Sequence, residues 1–217
     1  MSMKTFIPLV LALVIAASAC GASEEDQESS PPAIVAGWAE AVEVRDFDEA
    51  TAAVFEPSMV LVLAAENNLP ASETAAMLAD GVTPAVAAAY WSSFRDGFDA
   101  FAGRPISTLN VGSSEEVEAG DVQWAVVTVR AQEDASAPVF TRDEGGWLVD
   151  LVATLAPGFI EPLDVYLESL PNDADGDVIR QAYVDVVVPA MWAAIEAGGH
   201  GDDFARRALA LIEAASI

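Results

Sequence analysis

Residues 121–155 read DVQWAVVTVRAQEDASAPVFTRDEGGWLVDLVATL, and this stretch decides the fold class. Between Val122 and Ala131, Val122, Trp124, Val126 and Thr128 alternate with Ala125, Val127 and Val129. β-Branched, aromatic and small apolar side chains thus occupy both faces, which suits a central strand. Val139 to Asp143 reads as a second strand, opened by Pro138, which has no N–H to give to a ladder. Glu144-Gly145-Gly146 supplies a tight connection, and Trp147 to Thr154 is expected to run back as the other arm of a hairpin. Ala156-Pro157-Gly158 is expected to break that arm, and Ile106 to Val111 to add an outer fourth strand.

Helical patterns flank this core. Ile34, Val35, Trp38, Ala41 and Val42 recur at helical spacing up to about Arg45. Asp46-Phe47-Asp48 restarts a short helix through Phe55, and Pro57 opens another to about Asn67. Within it, Met59 to Leu63 suits a buried strand as well, because a short apolar run has no diagnostic period. After the turn at 68–70, Ser72 is expected to cap a helix to Ala79. Thr83-Pro84 starts one whose Val86, Tyr90, Trp91, Phe94 and Phe98 form an aromatic face, expected to lie on the sheet. Three further helices are expected: Pro162 to Leu170, Asp175 to Ala197 with a kink at Pro189, and Asp202 to Ala215, packed through Phe204, Ala208, Leu211 and Ile212. Helices, antiparallel sheet, helices is the α+β order.

The formal charge is −26, from 35 acidic residues against 9 Lys and Arg, and Lys4 is the single lysine. Such a surface repels nucleic acid and anionic lipid head groups. At the N-terminus Lys4 precedes an apolar run, Phe6 to Ala16, that is too short for a membrane span of about 20 residues, and then small residues suited to cleavage. Residues 1–19 therefore read as a signal peptide.

Ala17-Ser18-Ala19-Cys20 resembles the lipobox of bacterial lipoproteins. The resemblance implies cleavage between Ala19 and Cys20, a diacylglycerol on the Cys20 sulfur, and residence on the outer face of the cell membrane. Two acyl chains, at about 0.8 kcal/mol per buried methylene, suffice for stable anchoring. The competing reading is an ordinary secretory signal. Residues 20–30, continuing as GASEEDQESS, read as the lipidated cysteine and an acidic, disordered tether.

An N-terminal helical group ending in DFDEATAAVFEP, then strands, then the TRDEGGWLVDL hairpin, is similar to the NTF2-like (SnoaL-like, cystatin-like) superfamily over residues 31–158. The resemblance implies helices against a curved sheet of about four strands with a cone-shaped pocket between them. Residues 159–217 are then a C-terminal helical extension packed on the same domain. Members of that superfamily include isomerases, dehydratases and non-catalytic ligand-binding domains, so the fold leaves activity open.

Tyr90, Trp91, Phe94 and Trp124 are candidate pocket residues for an apolar or aromatic small molecule, against the plainer reading that they fill the core. Asp150, between Val149 and Leu151, suits a base in such a pocket with Tyr90 as hydrogen-bond donor. Its competing roles are a solvated face or a pair with Arg130 or Arg142. His200 is the sole histidine and sits among glycines, and no serine occupies a nucleophile elbow, which argues against hydrolase triads. In Asn172-Asp173-Ala174-Asp175-Gly176-Asp177, Val178 falls where a calcium loop needs its glycine, so a helix cap is the better reading. No catalytic residue, metal site or cofactor is expected. Three functions stay open: an exported, lipid-anchored binding module, an isomerase or dehydratase in the same pocket, and a protein-interaction lipoprotein.

Overall fold

A computed structural model describes residues 30–132, 135–198 and 200–216. The signal peptide, the Ala19–Cys20 cleavage position and the tether up to residue 29 lie outside the described residues.

Prolines set three helix starts, since a first-turn proline gives up an N–H that has no helical partner anyway. They open α1 (Pro31–Val44), α3 (Glu56–Asn67) and α5 (Pro84–Ala102). Asp46 caps α2 (Phe47–Ala52) by accepting from the Glu49 N–H, and α4 (Ala71–Asp80) follows Pro70. Ser58 to Ala64 are all buried, so this part of α3 is covered around its whole circumference. The run that also suited a strand is helical because Pro57 starts it and Asn68, in the left-handed region at φ 47°, stops it.

The sheet is an antiparallel meander, β1 (Asn110–Ala119), β2 (Val122–Gln132), β3 (Ala135–Asp143) and β4 (Trp147–Val149), in that spatial order. The outer strand starts later than expected. Ile106 is buried in a 3₁₀ turn, Ile106–Thr108, whose Thr108 hydroxyl donates to the Pro105 carbonyl at 2.6 Å.

The returning strand is shorter than expected and ends at Val149. Asp150 accepts from the Ala153 N–H at 2.9 Å, and this cap turns the chain into α6 (Leu151–Ser169). Pro157 does not end the element. Pro157 and Gly158 lie on the exposed side of α6, while Leu151, Val152, Ala156, Ile160, Leu163 and Tyr166 form its buried stripe. Burial of that stripe outweighs the hydrogen bond a proline removes. The expected boundary at residue 158 thus falls inside a helix, and a single core draws residues from both sides of it. The free edge of β4 is covered by the N-terminal half: Val54 bridges Val149 in parallel, Phe55 N–H donates to the Val149 carbonyl and Val149 N–H to that of Ala53.

α7 (Ala174–Glu196) is continuous through a π-helical turn at Tyr183–Val187, where the Val188 N–H reaches the Tyr183 carbonyl just before Pro189. Beside Pro189, where a kink is expected, the helix carries this widened turn. α8 (Gly201–Ala215) completes the chain. α4 packs on α7 and α3 on α6, α8 rests on both α6 and α7, and the end of α7 reaches β1.

The acidic 172–177 loop is a helix cap. Asp173 accepts from the Gly176 N–H at 3.0 Å, and the Arg180 guanidinium donates to the Leu170 and Pro171 carbonyls and to the Asn172 side chain. A fixed cation of the chain itself collects these oxygens. A Cβ on Gly176 would clash with the Pro171 carbonyl oxygen, far inside van der Waals contact distance, whereas one on Gly158 meets nothing within 4 Å. Gly176→Ala is therefore expected to destabilise by about 1–3 kcal/mol, lowering the melting midpoint by about 2–4 °C per kcal/mol. Gly158→Ala, the helical control, is expected to leave the midpoint level or raise it, both read by thermal unfolding.

Candidate functional site

Two rows of side chains run along α5 at a spacing of four. Val86, Tyr90, Phe94 and Phe98 are large, whereas Ala85, Ala89, Ser93 and Gly97 are small. Residues four apart stack on one helix face, so a bulky ridge borders a shallow one. Both rows line a cleft of about 1150 Å³. Facing them are Leu63 of α3, Met77 of α4, Val129 and Val139 of the sheet, and Leu155 and Phe159 of α6. The small row leaves volume that no neighbour fills.

The rings of α5 find their partner in α1 instead of the sheet. Trp38 meets Trp91 edge-on at 6.1 Å and Phe94 at 5.7 Å, and Tyr90 packs on Trp91 at 4.8 Å. Such pairs contribute about 0.5–1.5 kcal/mol each beyond their buried area. The expectation that this face lies on the sheet is corrected accordingly: the helix leans on α2 and α1, and the cleft is the space left between helix and strands.

The candidate pocket residues separate. Tyr90 and Phe94 line the cleft, with Trp38 and Phe98 beside them. Trp91 is fully buried and turned away, its Nε1–H donating to the Thr51 hydroxyl at 2.9 Å. Trp124 is fully buried too, but stands on the opposite face of β2 from Val127 and Val129, beneath the Arg142 guanidinium at 5.2 Å. Asp150 lies at the β4–α6 corner and is not among the cleft-lining residues. The small row of α5 is a feature that the aromatic pattern of the sequence does not mark. Its four-residue spacing was the available signal.

Asp150 is completely buried, 3.5 Å from Arg142 Nη1 and capping α6. Of its proposed partners Arg142 is the one that meets it. Burial pushes its carboxyl up to about 6, against the downward pull of the Ala153 N–H and the Arg142 charge. It is thus ionised at pH 7 and neutral at pH 5. Arg142 is held from the other side by Glu144, and its guanidinium lies 3.8 Å above the Phe55 ring. Burial likewise raises the Tyr90 hydroxyl, with the Glu66 charge adding to the effect, so Tyr90 is a neutral phenol at physiological pH. His200 precedes α8 and packs on Phe204 at 4.8 Å, and its Nε2 makes no hydrogen bond among the described residues. Among the described residues no group of three or more His, Cys, Asp or Glu is placed to hold a metal ion.

No protein-family model, curated protein or solved structure matches this chain.

The Asp150 carboxyl, at 3.8 in the unfolded chain and about 6 in the folded one, contributes stability that is fully present below pH 3.8 and lost as pH rises through 6. The loss is on the order of 3 kcal/mol. Asp150→Asn keeps a capping oxygen without the titration. Wild-type stability measured relative to this variant by urea unfolding is expected to fall by that order between pH 4 and pH 7. A gap that stays constant over the range would contradict the assignment.

Proposed function

We propose that this protein is an exported, lipid-anchored module of NTF2-like build that holds a small apolar ligand in the cleft beneath α5. The observation that carries the reading is the cleft itself. At about 1150 Å³ it lies just above the usual range for small-molecule sites, about 300–1000 Å³, and its walls are mostly aliphatic and aromatic. Its position between a helical N-terminal half and an antiparallel sheet supports the NTF2-like reading. Binding is favoured over isomerase or dehydratase chemistry because Asp150, the candidate base, is committed to Arg142 and to the α6 N-terminus, away from Tyr90 and the cleft.

Gly97 offers the cleanest test. It lines the cleft, sits in mid-helix, and a Cβ there meets nothing within 4 Å. Gly97→Leu is expected to stabilise α5 by up to about 1 kcal/mol while filling the space a ligand needs. A neutral naphthalene dye whose emission rises in apolar surroundings is expected to saturate the wild type at one site per chain. The variant should bind it about tenfold more weakly, about 1.4 kcal/mol, with an unchanged or higher melting midpoint. Linear, unsaturable emission, or equal affinity in both chains, would overturn the reading.

Export and anchoring rest on the Ala17-Ser18-Ala19-Cys20 pattern, the apolar run before it and the acidic stretch after it. In a bacterial host given labelled palmitate, the wild-type chain is expected to carry label in the membrane fraction. Cys20→Ser should abolish incorporation, and label that persists in the variant would count against Cys20 as the attachment point.

A further inference from the structure

The ionisable groups on the cleft are all of one sign. Besides its apolar wall and the neutral phenol of Tyr90, the cleft is lined by Glu66, near the end of α3, and Glu73, in the first turn of α4, and by no Arg, Lys or His among the described residues. Both carboxylates are exposed, and neither forms an ion pair among the described residues. The described arginines that are paired bind acids elsewhere, Arg95 with Glu43 and Arg142 with Glu144 and Asp150 among them. The cleft therefore joins aromatic walls to two uncompensated negative charges, within a chain of net charge −26.

We infer that the cleft selects hydrophobic molecules bearing a positive charge, organic amines or ammonium ions whose apolar body lies along α5. This deepens the proposed binding role and rests on it. Desolvating the ligand's body on Leu63, Phe94 and Phe159 supplies affinity, as for any apolar compound. The head group at Glu66 and Glu73 supplies discrimination of a cation over an anion. A carboxylate of the same shape meets two like charges with no cation to offset them.

A matched trio of octylammonium, octanol and octanoate separates body from charge. Titrated calorimetrically into the full chain at pH 7 and low salt, with displacement of the neutral dye to locate the site, octylammonium is expected to bind about fivefold tighter than octanol. Octanoate should bind weakest. The Glu66→Gln/Glu73→Gln double variant should bring octylammonium to within about twofold of octanol and leave octanol unchanged, and high salt should narrow the wild-type gap. Equal affinity for octylammonium and octanol in the wild type would overturn the charge inference and leave the cleft as a neutral site. An amine preference that survives in the double variant would overturn it too, by tracing the preference to the overall charge. Binding of none of the three would overturn the cleft reading along with it.

Discussion

A buried charge pair at one corner organises this molecule. Arg142 is 4% exposed and Asp150 not at all, so both charges have left water. Such a pair survives only when each member is well supplied with partners. Asp150 gives its oxygens to Arg142 and to the first turn of α6, while Arg142 lies over Phe55 and reaches Glu144 at the surface. Ser58 of α3 joins the same corner, its hydroxyl accepting from the Leu151 N–H at 3.0 Å and donating to the Phe55 carbonyl at 2.7 Å. The last strand, the helix that follows it and the central helix thus meet where their polar ends satisfy one another. Removing the Arg142 charge would leave the Asp150 carboxylate in a medium that cannot solvate it, whereas Arg142 keeps Glu144 as a second partner.

That corner also sets the far wall of the cleft. By turning the chain at Asp150 it sends Leu155 and Phe159 along α6 to face α5. Buried hydroxyls then hold α6 to its neighbours: Tyr183 donates to the Leu163 carbonyl at 2.7 Å, and Tyr166 and Thr74 share a hydrogen bond at 2.7 Å. A rigid wall on one side and the small row of α5 on the other keep the space between them open.

Much of this was legible in the residues. Thr83-Pro84 marks the start of α5 because a capping hydroxyl followed by a first-turn proline has few other uses, and Glu144-Gly145-Gly146 marks the hairpin because it tolerates a tight turn. The segment after Trp147 was not legible in the same way. Val149-Asp150-Leu151 alternates as a strand would, yet an aspartate directly before an apolar stripe also reads as a cap, and local pattern weighs the two equally. Ile106 misled for a similar reason, since a buried aliphatic beside Pro105 suits a strand or a tight turn alike. Among the candidate pocket residues, Tyr90 and Phe94 belong to the row that meets the cleft. Trp91, one position round the helix, is swung onto Thr51 and Trp38, and Trp124 is placed on the other face by the two-residue period of its strand.

Composition and short-range pattern were enough to determine the α+β class, the order of helices and strands, the acidity and most helix starts. These depend on propensity, capping and hydrophobic period, which act within a few residues of one another. Tertiary structure alone decided that α5 leans on α2 and α1, that Asp150 pairs with Arg142 and not with Tyr90, and that open space remains beneath α5. The physical reason is that packing is a contest among surfaces distant in the chain: one ring chooses between two apolar partners by shape and by which polar groups each choice would leave unsatisfied. No window of sequence contains both contestants.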